Sequence, residues 1–181
     1  MQEIKLGESL RRLREARGLS LRAVAERSGF SASFLSQVEN DQASPSIASM
    51  ERIAAALGVT MGEFFQTLGR PKSASVSPDG HLFVQSKWSK AHITYLSGGR
   101  PDGRLLPLLL TLDPDGSSGK RPYPAPTEEF ALVLEGSVGL TTGEYERVLV
   151  VGDSVTIQAG ELRRWQNLSP APVRFVIVSI R

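Results

Sequence analysis

The spacing of apolar residues changes once along the chain. From Leu6 to Leu68 they recur at helical intervals; from residue 82 onward they alternate or gather in short runs. Leu6, Leu10 and Leu13 share one face, and that pattern stops at Arg17-Gly18. Leu21, Val24 and Ala25 mark a second helix, and Leu35 and Val38 a third. Ile47, Met50, Ile53, Ala54 and Leu57 mark a fourth, and Met61, Phe64, Phe65 and Leu68 a fifth. Ser20, Ser31 and Ser44 (with Pro45 at the first helical position) stand where N-caps are needed. Thr60 with Glu63 reads as a capping box.

The stretch GRPKSASVSP, residues 69–78, is rich in Pro, Ser and Gly and reads as a linker. Beyond it the period is two. Strands are expected at 82–86, 92–96, 105–112, 129–134, 137–142, 145–151, 154–158, 162–166 and 173–180. Turn residues such as Asp113-Pro114-Asp115-Gly116, Glu135-Gly136 and Gly152-Asp153 separate them. Many short strands at regular spacing indicate a sandwich or barrel. The division is therefore an all-α domain at 1–68, a linker at 69–78 and an all-β domain at 79–181.

Composition narrows the function classes. With no cysteine in 181 residues, disulfides and thiolate metal sites are excluded, which suits a reducing cytoplasm. The longest strongly apolar run, Leu105 to Leu112, is eight residues, against the roughly 20 that span a bilayer. The opening MQEIKLGESLRRLRE has no signal-peptide core, so no membrane partner is expected. Net charge is +2, shared evenly between the two parts, and by itself indicates no partner. Locally, Arg11, Arg12, Arg14, Arg17, Arg22 and Arg27 face only Glu15 and Glu26. That excess reads either as a phosphate-binding surface or as a solvated helix face with i,i+4 pairs.

The stretch SLRAVAERSGFSASFLSQVEN, residues 20–40, decides between these readings. Two helices meeting at a tight turn need a small residue at the crossing, and Ala25 is placed for it. They need a residue that tolerates positive φ in the turn, and Gly29 follows four later. Leu35 and Val38 seat the second helix. These residues, within LREARGLSLRAVAERSGFSASFLSQVENDQASPSIASMERIAAALGVT, resemble the helix-turn-helix domain of phage repressors and the xenobiotic-response-element class of bacterial regulators. The resemblance covers roughly residues 5–66. It implies that the helix beginning near Ser31 enters the major groove of double-stranded operator DNA. Ala32, Ser33, Ser36 and Gln37 then face outward, and Gln37 is suited to a bidentate contact with adenine. Phe34 on the flank either packs inward or touches a thymine methyl group. Arg22, Asn40, Gln42, Ser44 and Ser46 are the expected phosphate contacts. Where many relatives carry Gly and a basic residue after the recognition helix, this chain has Asp41-Gln42; Asp41 is expected to turn away or cap locally.

Further on, GKRPYPAPTEEFALVLEG and VGDSVTIQAGELRRWQNLS resemble the two motifs of the cupin barrel, a double-stranded β-helix. The resemblance covers roughly residues 75–181. Metal-binding cupins carry three histidines and a glutamate. Here Tyr123, Ala125 and Arg163 stand at the histidine positions and Glu129 at the glutamate. Alanine cannot ligate and arginine stays cationic, so no metal and no cofactor are expected. Neither His81 nor His92 belongs to these motifs. Strand alternation puts Arg163 and Trp165 on one face, and Glu129, Ala131 and Val133 on one face of another strand. Two readings stay open for Tyr123, Glu129, Arg163 and Trp165: an Arg163–Glu129 pair that holds the barrel, or a small-molecule pocket.

Together the halves indicate a five-helix bundle followed by a barrel in a cytoplasmic transcriptional regulator. It is expected to act as a homodimer on operator DNA, in the manner of a repressor, with a barrel that dimerises and senses an effector. The rival is a cupin enzyme, an isomerase or oxygenase with a DNA-binding-like head. It lacks its ligands, and a glutamate held by arginine is a poor base. No residue is assigned a catalytic role.

Overall fold

A computed structural model describes residues 2–3, 6–68, 82–87, 89–96 and 104–180. The expected linker at 69–78 and His81 lie outside the described residues.

Five helices come first: α1 (Leu6–Ala16), α2 (Leu21–Ser28), α3 (Ala32–Glu39), α4 (Ile47–Ala56) and α5 (Met61–Leu68). Their starts are set by side chains that satisfy orphan amide groups. Ser20 accepts from the Ala23 amide and Ser31 from the Phe34 amide, both at 3.1 Å. Before α5, the Thr60 amide donates to Glu63 at 2.8 Å and the Glu63 amide donates back to the Thr60 hydroxyl at 3.2 Å, a closed capping box. Helix α4 differs from expectation. Its cap is Ser46, which accepts from the Ser49 amide at 3.2 Å, not Ser44. Ser44 and Pro45 are held by the strand region instead: the Ser44 hydroxyl accepts the Lys87 amide, and the Pro45 carbonyl accepts the Ser86 hydroxyl.

The strands are β1 (Gln2–Glu3), β2 (Leu82–Ser86), β3 (Ala91–Tyr95), β4 (Leu105–Leu112), β5 (Tyr123–Pro124) and β6 (Glu129–Glu135). They continue with β7 (Ser137–Thr142), β8 (Tyr145–Val150), β9 (Ser154–Ile157), β10 (Leu162–Asn167) and β11 (Val173–Ile180). They form two sheets, ordered β1-β2-β3-β4-β11-β6-β9 and β5-β10-β7-β8. The two shortest strands, β1 and β5, have no periodic signal and exist only as partners: β1 runs parallel to β2, and β5 pairs antiparallel with β10. Inward residues alternate along β10 and β11, so Arg163, Trp165, Phe175 and Ile177 are buried between the sheets.

Helices and strands share one hydrophobic cluster. Phe65 of α5 stacks on Tyr95 of β3 with ring centroids 6.0 Å apart. At Gly62, α5 crosses β4 so closely that a Cβ there would lie 2.5 Å from the Leu106 Cβ. The Ala48 amide, at the start of α4, donates to the Ser118 carbonyl at 2.9 Å. The helical head is thus fastened to the barrel along α4 and α5.

Candidate functional site

The turn between α2 and α3 is built as its residues require. Gly29 adopts φ 69°, and its amide donates to the Ala25 carbonyl, ending α2 in the left-handed conformation. Leu35 and Val38 are buried against the head. Each contributes about 1.5–3 kcal/mol from the area removed from water. Their burial fixes the rotation of α3, which leaves Ala32, Ser33 and Gln37 exposed on its far face, with Ser31 at its start. Phe34 is half-buried beside Phe30, centroids 5.0 Å apart.

The expected phosphate contacts divide. Arg22 is 88% exposed, with one loose contact to Glu26 at 3.5 Å, and Gln42 is exposed. The Asn40 side chain is exposed but turns back, donating to the Ser36 carbonyl at 2.8 Å. Ser44 joins the barrel turn, and Ser46 is buried as the α4 cap, so its hydroxyl is withdrawn from the surface. Several of the clustered arginines are engaged locally. Arg11 pairs with Glu15, Arg12 with Glu8, and Arg14 grips Glu39 through two bonds of 2.7 and 2.9 Å. Asp41 does cap a helix, but a distant one and not its own neighbourhood. It sits at φ 55°, and its carboxylate accepts the Gly7 amide at the start of α1 at 3.0 Å.

In the barrel, Arg163 of β10 and Glu129 of β6 meet across the two sheets. The Arg163 Nε donates to Glu129 Oε2 at 2.6 Å and its Nη2 to Oε1 at 2.9 Å, a bidentate pair. Nη1 donates to the carbonyls of Tyr123 and Pro124 at 3.3 and 3.4 Å. Tyr123 contributes its ring as well: the guanidinium lies 4.5 Å from the ring centroid. Its role at Arg163 is therefore through the carbonyl and the π-face. Burial pushes the Tyr123 phenol up, and the Glu51 charge adds to that. Trp165 packs on Phe175 at 4.8 Å, and its buried indole N–H has no acceptor among the described residues.

One member of this cluster was not anticipated. Glu51 of α4 reaches into the barrel, and Arg163 Nη2 donates to both its oxygens at 3.1 and 2.9 Å. Side-chain exposure is 1% for Arg163, 4% for Glu129 and 15% for Glu51. Burial pushes the Glu51 carboxyl up to about 7, against the opposing attraction of Arg163. The same neighbours hold Arg163 above the usual arginine range. The only sequence signal for Glu51 is its place four residues after Ile47 and three before Ala54, at the edge of the α4 apolar face.

The donor set does not fit a divalent metal. Ala125 offers no ligand, and Glu129 is engaged by a fixed cation. Among the described residues no group of three His, Cys, Asp or Glu side chains converges. His92 contacts Asp113 at 3.4 Å, away from the cluster.

Residues 5–64 match the helix-turn-helix domain family, and residues 108–179 match the cupin domain family. The chain is a helix-turn-helix protein with a C-terminal cupin domain. It is 28% identical over 170 residues to the HTH-type transcriptional regulator PuuR of Escherichia coli (strain K12), covering 94% of this chain and 91% of that one. It is 27% identical to the HTH-type transcriptional regulator SutR of the same organism, with the same coverages. A crystal structure of an HTH_3 family transcriptional regulator from Vibrio cholerae aligns over 98% of this chain and 96% of its own, with TM-score 0.75 and 25% identity. The hydroxypropylphosphonic acid epoxidase from S. wedmorenis, at 18% identity and TM-score 0.50 over 97% of each chain, shares the fold alone.

Proposed function

We propose that this helix-turn-helix cupin protein is a transcriptional regulator that reads operator DNA as a homodimer and answers to a small molecule. The observation that carries the reading is the face of α3. Ser31, Ala32, Ser33 and Gln37 stand exposed on a helix whose rotation is locked by buried Leu35 and Val38. Gln37 reads adenine, and Ala32 and Ser33 lie toward the bases. Arg22, Gln42 and the loop at Asn40 meet phosphates. Full-length likeness to proteins named as transcriptional regulators supports this over a DNA-binding relic.

Dimerisation is proposed through the barrel. Strand β8 ends the four-stranded sheet, and Tyr145, Val148 and Val150 on it are exposed, with Val151 beside them. An edge strand bearing apolar side chains suits pairing with a second copy. The unsatisfied Trp165 N–H in the barrel interior supports a small-molecule acceptor there. Repression follows where the bound dimer blocks a promoter, and the cytoplasm is the compartment that holds the DNA. No catalysis is proposed, because Glu129 is clamped by Arg163 and is a poor base.

The test is selection of bound fragments from a random DNA pool by the full-length protein at near-physiological salt. An inverted repeat with half-sites about one helical turn apart supports the dimeric regulator. Binding without sequence preference that vanishes as salt rises counts against it.

A further inference from the structure

We propose that Lys120 and Arg121, on the barrel, contact the phosphate backbone of the DNA read by α3, so that the nucleic-acid surface spans both domains. That role deepens the regulator reading and rests on it. The segment that carries the two cations is fixed against the head. The Ala48 amide, at the start of α4, donates to the Ser118 carbonyl at 2.9 Å. Gly119 comes so close that a Cβ there would lie 2.8 Å from the Ala48 Cβ. Lys120 and Arg121 follow directly, and both are exposed. They line a cleft of about 660 Å³ whose lining also includes Phe34, Ser44 and Arg52 of the head. Phe34 stands three residues before Gln37, one turn away on α3, so the cleft borders the reading face.

The cleft lining holds three cationic side chains and no carboxylate, so negative charge is favoured along this edge. Arg52 is held within the head: it donates to the Ser28 carbonyl at 2.6 Å, and its guanidinium lies 4.4 Å from the Phe30 ring centroid. Lys120 and Arg121 add two charges from the barrel. The barrel also takes contacts away here. The Ser44 hydroxyl accepts the Lys87 amide at 2.9 Å, and Ser46 is buried as the α4 cap. Two hydroxyls expected to meet phosphates are thus withdrawn where two exposed cations are supplied. The exchange strengthens the edge, because a bond from an ammonium or guanidinium to phosphate is charge-assisted and releases counterions. A duplex suits this arrangement because its backbone carries phosphates at close intervals, so one molecule reaches both α3 and the barrel cations.

The test uses the full-length chain and two labelled duplexes, one carrying the fragment recovered by selection and one of scrambled sequence. Affinities of the parent, Lys120→Ala, Arg121→Ala and the double variant are measured from roughly 50 to 200 mM salt. The double variant is expected to bind both duplexes more weakly and to flatten the slope of affinity against salt by about two phosphate contacts, each single variant by about one. Base preference is expected to stay as in the parent, since phosphate contacts carry no sequence information. The unfolding temperature is expected to stay as well, because both side chains are exposed. Arg174→Ala, on β11 beside Glu135, is the control and is expected to keep the parent slope. A double variant with the parent slope overturns the proposal, as does a loss confined to the selected duplex. In either case the parent still binds that duplex and the regulator reading stands. A parent chain that binds neither duplex overturns both.

Discussion

On α3, Ser33 and Gln37 stand in solvent beside buried Leu35 and Val38; in the barrel, Arg163 and Glu129 lie buried among Trp165, Phe175 and Ala131. Both are polar groups on an apolar background, but their hydrogen bonds differ. Among the described residues the Gln37 side-chain amide has no partner, whereas every nitrogen of the Arg163 guanidinium has an acceptor. An exposed polar group loses little by waiting for a ligand. A buried one left without a partner costs its full desolvation, so the fold must supply one. Glu51 stands between these limits. It is buried enough to need Arg163, yet at 15% side-chain exposure it lies nearer the surface than Glu129.

The largest expected effect is at the centre of the cluster. Arg163→Ala leaves Glu51 and Glu129 without their cation and is expected to lower unfolding free energy by about 3–5 kcal/mol. Urea denaturation measures this, and a change near zero would dissolve the contrast with α3.

Next comes the pH response. The folded Glu51 carboxyl titrates at about 7, above its ordinary 4.5. Between those values the native state holds a proton that the unfolded chain has released. Its stabilisation is full below pH 4.5 and is lost as pH rises through 7. The loss is on the order of 3 kcal/mol. Comparing urea midpoints at pH 5 and pH 8 for the parent and Glu51→Gln isolates this term. Parallel pH profiles for the two chains would remove it.

The surface predictions are smaller and concern binding. Gln37→Ala is expected to cost roughly 1–3 kcal/mol at the specific site and to relax one base position, with folding stability unchanged. Repeating the fragment selection with the variant checks this, and an unaltered preference would take Gln37 out of direct readout. Arg22→Ala is expected to weaken binding to all sequences alike and to flatten the salt slope by about one phosphate contact. An identical slope would assign Arg22 to its loose pair with Glu26.

Much of this was legible in the chain because it depends on neighbours in sequence. The Thr60–Glu63 capping box, the Gly29 turn and the alternation that buries Arg163 with Trp165 are all local. The α4 cap was misplaced by two residues for the opposite reason. Ser44 and Ser46 both suit an N-cap, and the choice was made by Lys87 and Ser86, some forty residues away, which hold Ser44 and Pro45. Asp41 likewise has no reason in its own neighbourhood; its partner is the Gly7 amide. Strand alternation put Arg163 and Glu129 each on one face of its own strand, and the resemblance to the cupin motifs set those faces toward each other. Neither could bring Glu51, which lies 112 residues away on a helix of the other domain.

The sequence by itself determined the five helices, the run of strands and the outward face of α3. Each follows from period, capping chemistry or residue identity. Only the tertiary structure decided that the head docks on the barrel, that Ser46 is withdrawn from the surface and that Glu51 shares Arg163 with Glu129. Those outcomes depend on which buried polar groups find one another once the chain is compact, and in a desolvated interior that pairing outweighs local preference.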